Sequence, residues 1–305
     1  MSPQATRAGE AFAALQDEIC AGLEDLDGGG RFGEDLWERP GGGGGRSRTI
    51  EGELIEKGGV GYSAVHGELS PLAAQALKTA GREFYATGVS IVLHPRNPHT
   101  PIIHMNVRYF ELGGGRWWFG GGIDLTPHYI DAGLARDFHR RLAATCRAHP
   151  GCGDYDLYKR QADEYFYLPH RKETRGVGGI FYDRLHSAGF DKLLGFSLAV
   201  GRTFVPAYAA QVEATATLPY TEEQRRWQGL RRGRYVEFNL AWDRGTKFGL
   251  ETDGRTESIL MSMPPQANWV YDYRPSAGSP EAETLAGLRK GVDWLNVSAD
   301  RTVGR

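Results

Sequence analysis

The chain has 305 residues, a formal net charge of -2, and 40% hydrophobic, 11% aromatic and 24% charged residues; this balance excludes a disordered or fibrous chain, and with no bulk field to draw nucleic acid or anionic membrane, any anion binding must come from local arginine placement. No apolar run approaches the ~20 residues that span a bilayer, and the N-terminus lacks a basic region followed by an apolar block, so neither a membrane span nor a nucleic-acid partner is expected and the chain is placed in the cytoplasm. Cys20, Cys146 and Cys152 match no disulfide framework, zinc motif or iron-sulfur motif, which disfavours thiol-based metal chemistry.

Residues 7–26 carry Phe12, Leu15, Ile19, Leu23 and Leu26 at helical spacing, so an amphipathic helix is expected, ended by Gly28, Gly29 and Gly30. The run Gly41 to Gly45 lacks the Gly-Lys-Ser/Thr ending of a phosphate loop and is expected to be a flexible surface loop. Strands are predicted at about 49–56, 60–66, 87–94, 102–111 and 116–124. Helical periodicity returns in Leu134, Phe138, Leu142 and Cys146, around 155–167, and over 189–215; residues 234–242 and 256–264 read as strands again. Strands joined by short connections, then helices, then strands returning give an α+β domain, a large antiparallel sheet packed between helices. With no internal repeat and no linker, residues 1–305 are expected to form a single domain, of which 1–34 are an N-terminal helix and glycine-rich turn.

The chemistry is concentrated between Ser90 and Asp124. In HTPIIHMNVRYFEL, Ile103, Met105, Val107 and Tyr109 alternate with His104, Asn106, Arg108 and Phe110, which in a strand separates them onto opposite faces. The preceding GVSIVLH places Ser90 and His94 on one side. A hairpin with His94 opposite His104 and Ser90 opposite Arg108 is expected, giving a polar strip of about 13 Å at ~3.3 Å per residue. Arg108 is its informative member, because a guanidinium pairs with a carboxylate through two hydrogen bonds. Alternation alone is equally consistent with a solvated open sheet face. In RWWFGGGIDLTP, three glycines allow a planar ligand close to the backbone beside Asp124; the alternative is a core strand with a glycine bend. Asp124 lies between Ile123 and Leu125, so partial desolvation makes it a candidate base or an acceptor for ligand N–H groups. The arginines Arg225, Arg226, Arg231, Arg232 and Arg234 are expected on a solvated surface.

The blocks GVSIVLHPRNPHTPIIHMNVRYFE, WWFGGGIDLTP, FYLPHRKETRGVGGIFYDRL and YVEFNLAWDRGTKFGLETDGRTESILMSMPP closely resemble the oxygen-dependent coproporphyrinogen III oxidase family, in order, over most of residues 35–275. The resemblance implies oxidative decarboxylation of the propionates on rings A and B of coproporphyrinogen III to vinyl groups. It implies O2 as oxidant, no organic cofactor, and release of CO2 and hydrogen peroxide, as a step of haem biosynthesis. It also implies a homodimer joined through residues 235–270. It assigns substrate contacts to Ser90, Asn106, Val107, Arg108, Asp253, Gly254 and Arg255, the proton donor to His104, a place beside the pyrrole nitrogens to Asp124, and one beside a propionate to Arg175. His94, His104, His139 and His170 match positions given to a divalent metal in bacterial relatives, although their spacing forms no compact zinc-type motif. Asp253 stands where glycine is expected in relatives, and an acid there would repel substrate carboxylates unless it points away. Two other readings remain open: a metal-dependent oxygenase or hydrolase built on the four histidines, and a tetrapyrrole-binding protein without catalysis. The absence of a clustered cysteine triplet argues against the radical enzyme that performs the same conversion without oxygen.

Overall fold

The computed structural model describes residues 1–77, 79, 83–251 and 254–298. Helix α1 (Pro3–Asp27) starts at Ser2, whose hydroxyl accepts the Ala5 N–H, with proline in the first turn, and ends at Gly28 in a positive-φ conformation that glycine adopts without strain. Strands β1 (Gly33–Glu38), β2 (Gly43–Ile50) and β3 (Ile55–Glu68) follow, then α2 (Pro71–Ala76) and strands β4 (Glu83–Pro95), β5 (Ile102–Leu112) and β6 (Arg116–Thr126). Helices α3 (Ala132–Arg147) and α4 (Tyr155–Tyr165) lead to the short hairpin of β7 (Tyr167–Leu168) and β8 (Glu173–Thr174), and then to β9 (Gly178–Leu185). The chain closes with α5 (Phe190–Thr215), α6 (Glu222–Ala241), α7 (Arg244–Glu251), α8 (Thr256–Leu260) and α9 (Pro280–Gly287).

Among the described residues the main sheet has seven antiparallel strands in the order β1-β2-β3-β4-β5-β6-β9, so the α+β expectation holds. The two-residue period turns Val89, Ile91 and Leu93 of β4, Ile103, Met105, Val107 and Tyr109 of β5, and Phe119, Ile123 and Leu125 of β6 inward, all buried. They pack on Phe12, Leu15, Ile19 and Leu23 of α1, Phe138 and Leu142 of α3, and Phe196, Val200 and Phe204 of α5. The opposite face carries the polar set and is covered in part by α6 and the segment that follows it.

Several expectations are corrected. The segment predicted as one strand at 49–56 is the end of β2, a turn and the start of β3, the turn held by the buried Asp27 carboxylate, which accepts N–H groups from Gly30, Glu53, Leu54 and Ile55. The Gly41–Gly45 run is no loose loop: Gly43 begins β2, and a Cβ at Gly45 would collide with the Tyr62 carbonyl and the Trp37 ring. Residues 234–242 lie mostly in helix α6, which begins at a capping box of Thr221 and Gln224. Its core-facing stripe is Trp227, Arg231, Tyr235 and Phe238, and taking Arg231 for a surface residue hides that helical period. Residues 256–264 form α8 and a turn. The strand that returns to the sheet is β9, where Ile180 and Tyr182 face the core. Finally, α5 is long and apolar enough to cross a membrane by length and composition. In this fold it packs against α1, α3, β5 and β6.

Candidate active site

The polar face is assembled by strand register. Ser90 pairs with Asn106, Val92 with His104 and Gly88 with Arg108. The expected pairing of His94 with His104 is therefore off by two residues, because the loop after β4 takes His94 out of the β4–β5 ladder; His94 pairs with Lys57 of β3 instead. A two-residue shift preserves the faces, so Ser90, His94, His104, Asn106 and Arg108 still share one side. On the next strand the partners of His104, Asn106 and Arg108 are Asp124, Gly122 and Gly120, and beyond Ser90 and Val92 lie Gly61 and Gly59. Glycine at 59, 61, 88, 120 and 122 leaves much of this face without side chains, a floor on which a flat ligand can approach the backbone. Over Gly59 and Gly61 lies Met261, whose Cε would be 2.7 Å from a Cβ at Gly61.

At one end of the floor is a chain of charged groups. Asp124, 1% exposed, accepts hydrogen bonds from the Arg175 guanidinium (Nη2 to Oδ1 2.8 Å and to Oδ2 2.9 Å, Nε to Oδ2 3.3 Å) and from His104 Nδ1 at 2.7 Å. Burial by itself raises the Asp124 carboxyl, but the Arg175 charge and the His104 hydrogen bond outweigh it and hold the group below the ordinary carboxylate range. Arg175 is 2% exposed, donates its remaining Nη1 to Asn239 Oδ1 at 3.0 Å, and is enclosed by the rings of Phe166, Tyr235 and Phe238 at 4.4–4.7 Å. This arginine is thus bound to Asp124, and its fork is closed to a propionate in this conformation. Because a carboxylate only accepts, His104 carries its proton on Nδ1, and Nε2, which makes no hydrogen bond to the described residues, is left for the cleft. Asp124 reaches the floor only through His104.

Arg108 lies further along β5, half exposed, with Nη1 on Asn106 Oδ1 and Nη2 on Asp183 Oδ1, both at 2.9 Å. The Val107 side chain is buried on the core side, so only its backbone can meet a ligand. Ser90 is exposed on the floor. Gly254 donates its N–H to the Gly249 carbonyl, and Arg255 pairs with Asp35 of β1 and lies over Trp37; these two border the β1–β3 end, where Ser258 meets Ser47 at 2.8 Å. Asp253 lies outside the described residues.

The four candidate metal ligands do not converge. His94 Nε2 meets the Ser262 carbonyl at 2.9 Å, and burial lowers its pKa to about 3, so it is neutral. His139 lies behind the sheet with both nitrogens engaged, by the Val177 carbonyl and the Tyr155 hydroxyl, and burial likewise lowers it to about 3. His170 has both nitrogens in use too, Nε2 on Glu237 and Nδ1 accepting from Trp242. Among the described residues no three His, Cys, Asp or Glu side chains come together as a metal site. The donor set does not fit one ion.

The arginine cluster on α6 is also corrected. Arg231 and Arg232 are buried, paired with Glu173 and Glu56, and Arg225 joins Arg232 on Glu56; of the five, Arg226 alone is exposed. Asp183, Asn239, Met261 and the aromatic cage of Arg175 escape the sequence reading. Asp183 had a signal, the alternation in GGIFYDRL; the cage had none, because Phe166 follows α4 while Tyr235 and Phe238 come from α6, far from it and from Arg175 in sequence.

A family model described as coproporphyrinogen III oxidase matches residues 7–294. Among curated proteins, the oxygen-dependent coproporphyrinogen-III oxidase of Parasynechococcus marenigrum is 49% identical over 318 aligned positions, covering 95% of this chain and 87% of that protein.

Proposed function

This chain belongs to the coproporphyrinogen III oxidase family, and on that premise we propose that its glycine floor binds coproporphyrinogen III and converts the ring A and ring B propionates to vinyl groups with O2. For each propionate, –CH2–CH2–COOH and O2 become –CH=CH2, CO2 and H2O2, so the substrate supplies both electrons and no organic cofactor is called for. The observation that carries this reading is the chain Arg175–Asp124–His104, which ends with an imidazole nitrogen that makes no hydrogen bond to the described residues, above the glycine floor beside Arg108.

In this mechanism Arg175 keeps Asp124 ionised, Asp124 fixes the His104 tautomer, and Nε2 of His104 takes a pyrrole N–H proton and returns it. Withdrawing that proton raises electron density in the pyrrole, which makes the already electron-rich macrocycle reactive toward O2. Arg108 anchors a propionate with its planar fork, Ser90 and Asn106 offer polar contacts between them, and Gly254 and Arg255 meet the ligand at the far end. Asp124 thus acts on the pyrroles through His104, and Arg175 is a positioning residue.

A homodimer is part of the same proposal. Leu240, Trp242, Phe248, Leu250, Trp269, Val270 and Tyr271 are all exposed, a density of large apolar side chains that marks an interaction surface, and they fall in or directly beside residues 235–270. Three buried, unpaired cysteines suit a reducing cytoplasm. The test is CO2 release and vinyl product from coproporphyrinogen III with and without O2. Oxygen-dependent formation of both, lost in His104→Ala, is expected; binding without O2 consumption would make the chain a carrier.

A further inference from the structure

Asp183 stands against Arg108 in a way the reaction does not require. Its carboxylate is 36% exposed, as is the arginine side chain, and only one of its oxygens is hydrogen-bonded to the described residues, at 2.9 Å from Arg108 Nη2. Together with Asn106 Oδ1 on Nη1, this contact spreads the guanidinium across β6. A Cβ at Gly120 would meet Arg108 Nε and Nη2 at 2.9 Å and Asp183 Oδ1 at 2.8 Å, so the pair occupies space that glycine alone leaves open. The same arrangement recurs at the other end of the floor, where Arg255 is held by the exposed Asp35.

We propose that Asp183 is a placeholder carboxylate: it occupies the Arg108 fork in the empty enzyme, holds the guanidinium flat over Gly120, and is displaced by a propionate of the incoming substrate. This rests on the reading of Arg108 as a carboxylate anchor. The consequence is selectivity. A small monoanion gains little by replacing one carboxylate with another, whereas a ligand presenting several carboxylates at fixed separations displaces the placeholder while its other contacts hold it in place. Asp183 is then a positioning and specificity residue whose ordinary effect on affinity is negative.

The test is a double-mutant cycle with coproporphyrin III, a non-reacting probe, bound to the full-length protein and followed by fluorescence, for wild type, Asp183→Asn, Arg108→Ala and the double variant. Asp183→Asn should tighten Kd by about two- to five-fold, the scale of an exposed ion pair, and Arg108→Ala should weaken it about tenfold or more, the scale of a lost charged hydrogen bond. In the Arg108→Ala background the Asp183→Asn effect should vanish. Equal tightening in both backgrounds would reduce Asp183 to general charge repulsion and overturn the placeholder; unchanged or weaker binding by Asp183→Asn, with Arg108→Ala weakened, would overturn it as well. Unchanged binding in Arg108→Ala would instead sink the anchor reading itself.

Discussion

Replacing Asp124 with asparagine keeps the side-chain volume and removes one charge from a pair that is almost completely buried. Two effects follow. Arg175, 2% exposed, is left as an uncompensated charge inside a cage of three rings, and breaking a buried pair from one side costs roughly 3–5 kcal/mol, a fall in Tm on the order of 10 °C for a chain of this size. The amide also offers N–H where His104 Nδ1 meets a carboxylate oxygen at 2.7 Å, which favours the tautomer with its proton on Nε2 and removes the base from the floor. Turnover should therefore fall by about 10²–10⁴, while coproporphyrin III binding changes only a few-fold, since Arg108 is untouched. The folded pKa of Asp124 is lowered, so its stabilising effect is fully present above the unfolded value of about 3.9 and is lost as pH falls toward the folded value. The stability gap between wild type and variant should accordingly narrow below about pH 4. Steady-state CO2 release, probe binding and thermal melts across pH measure all three. Wild-type turnover in Asp124→Asn would refute the role given to the Arg175–Asp124–His104 chain.

Two alanine substitutions on the floor should separate binding from folding. Gly61→Ala meets only the mobile end of Met261, so Tm should hold while KM rises; Gly122→Ala places its Cβ 2.7 Å from the Ile180 carbonyl and should lower Tm by several degrees. Asp27→Asn removes a carboxylate that accepts four backbone N–H groups and should cost about 1–3 kcal/mol; because those bonds lower the Asp27 pKa against burial, the loss seen in urea melts at pH 7 should shrink below about pH 4. Rigorous chelation, with metal content measured, should leave turnover unchanged, since His139 and His170 have both ring nitrogens engaged; restoration of lost activity by one equivalent of a divalent ion would contradict this.

The sheet and its polar face are legible in the sequence because a period of two survives any even register shift: His104, Asn106 and Arg108 stay on the side of Ser90 although the pairing differs by two residues from the expected one. Helix α6 is illegible for the opposite reason. Arg231 and Arg232 interrupt its apolar stripe, and only the acids Glu173 and Glu56, far away in sequence, make them core residues. The functional residues divide the same way. Arg108 declares itself by alternation, while the closure of Arg175 by Asp124, Asn239 and three rings depends on contacts between β6, the end of α4, the segment before β9 and α6 that no local pattern encodes.

A crystal structure with coproporphyrin III bound should show the macrocycle on Gly61, Gly88 and Gly122 with the Met261 side chain moved off Gly61, a propionate on Arg108 with Asp183 displaced, and pyrrole nitrogens facing His104 Nε2. A macrocycle bound off this face, or one with Arg108 still paired to Asp183 and His104 remote from the pyrroles, would contradict this placement of the substrate.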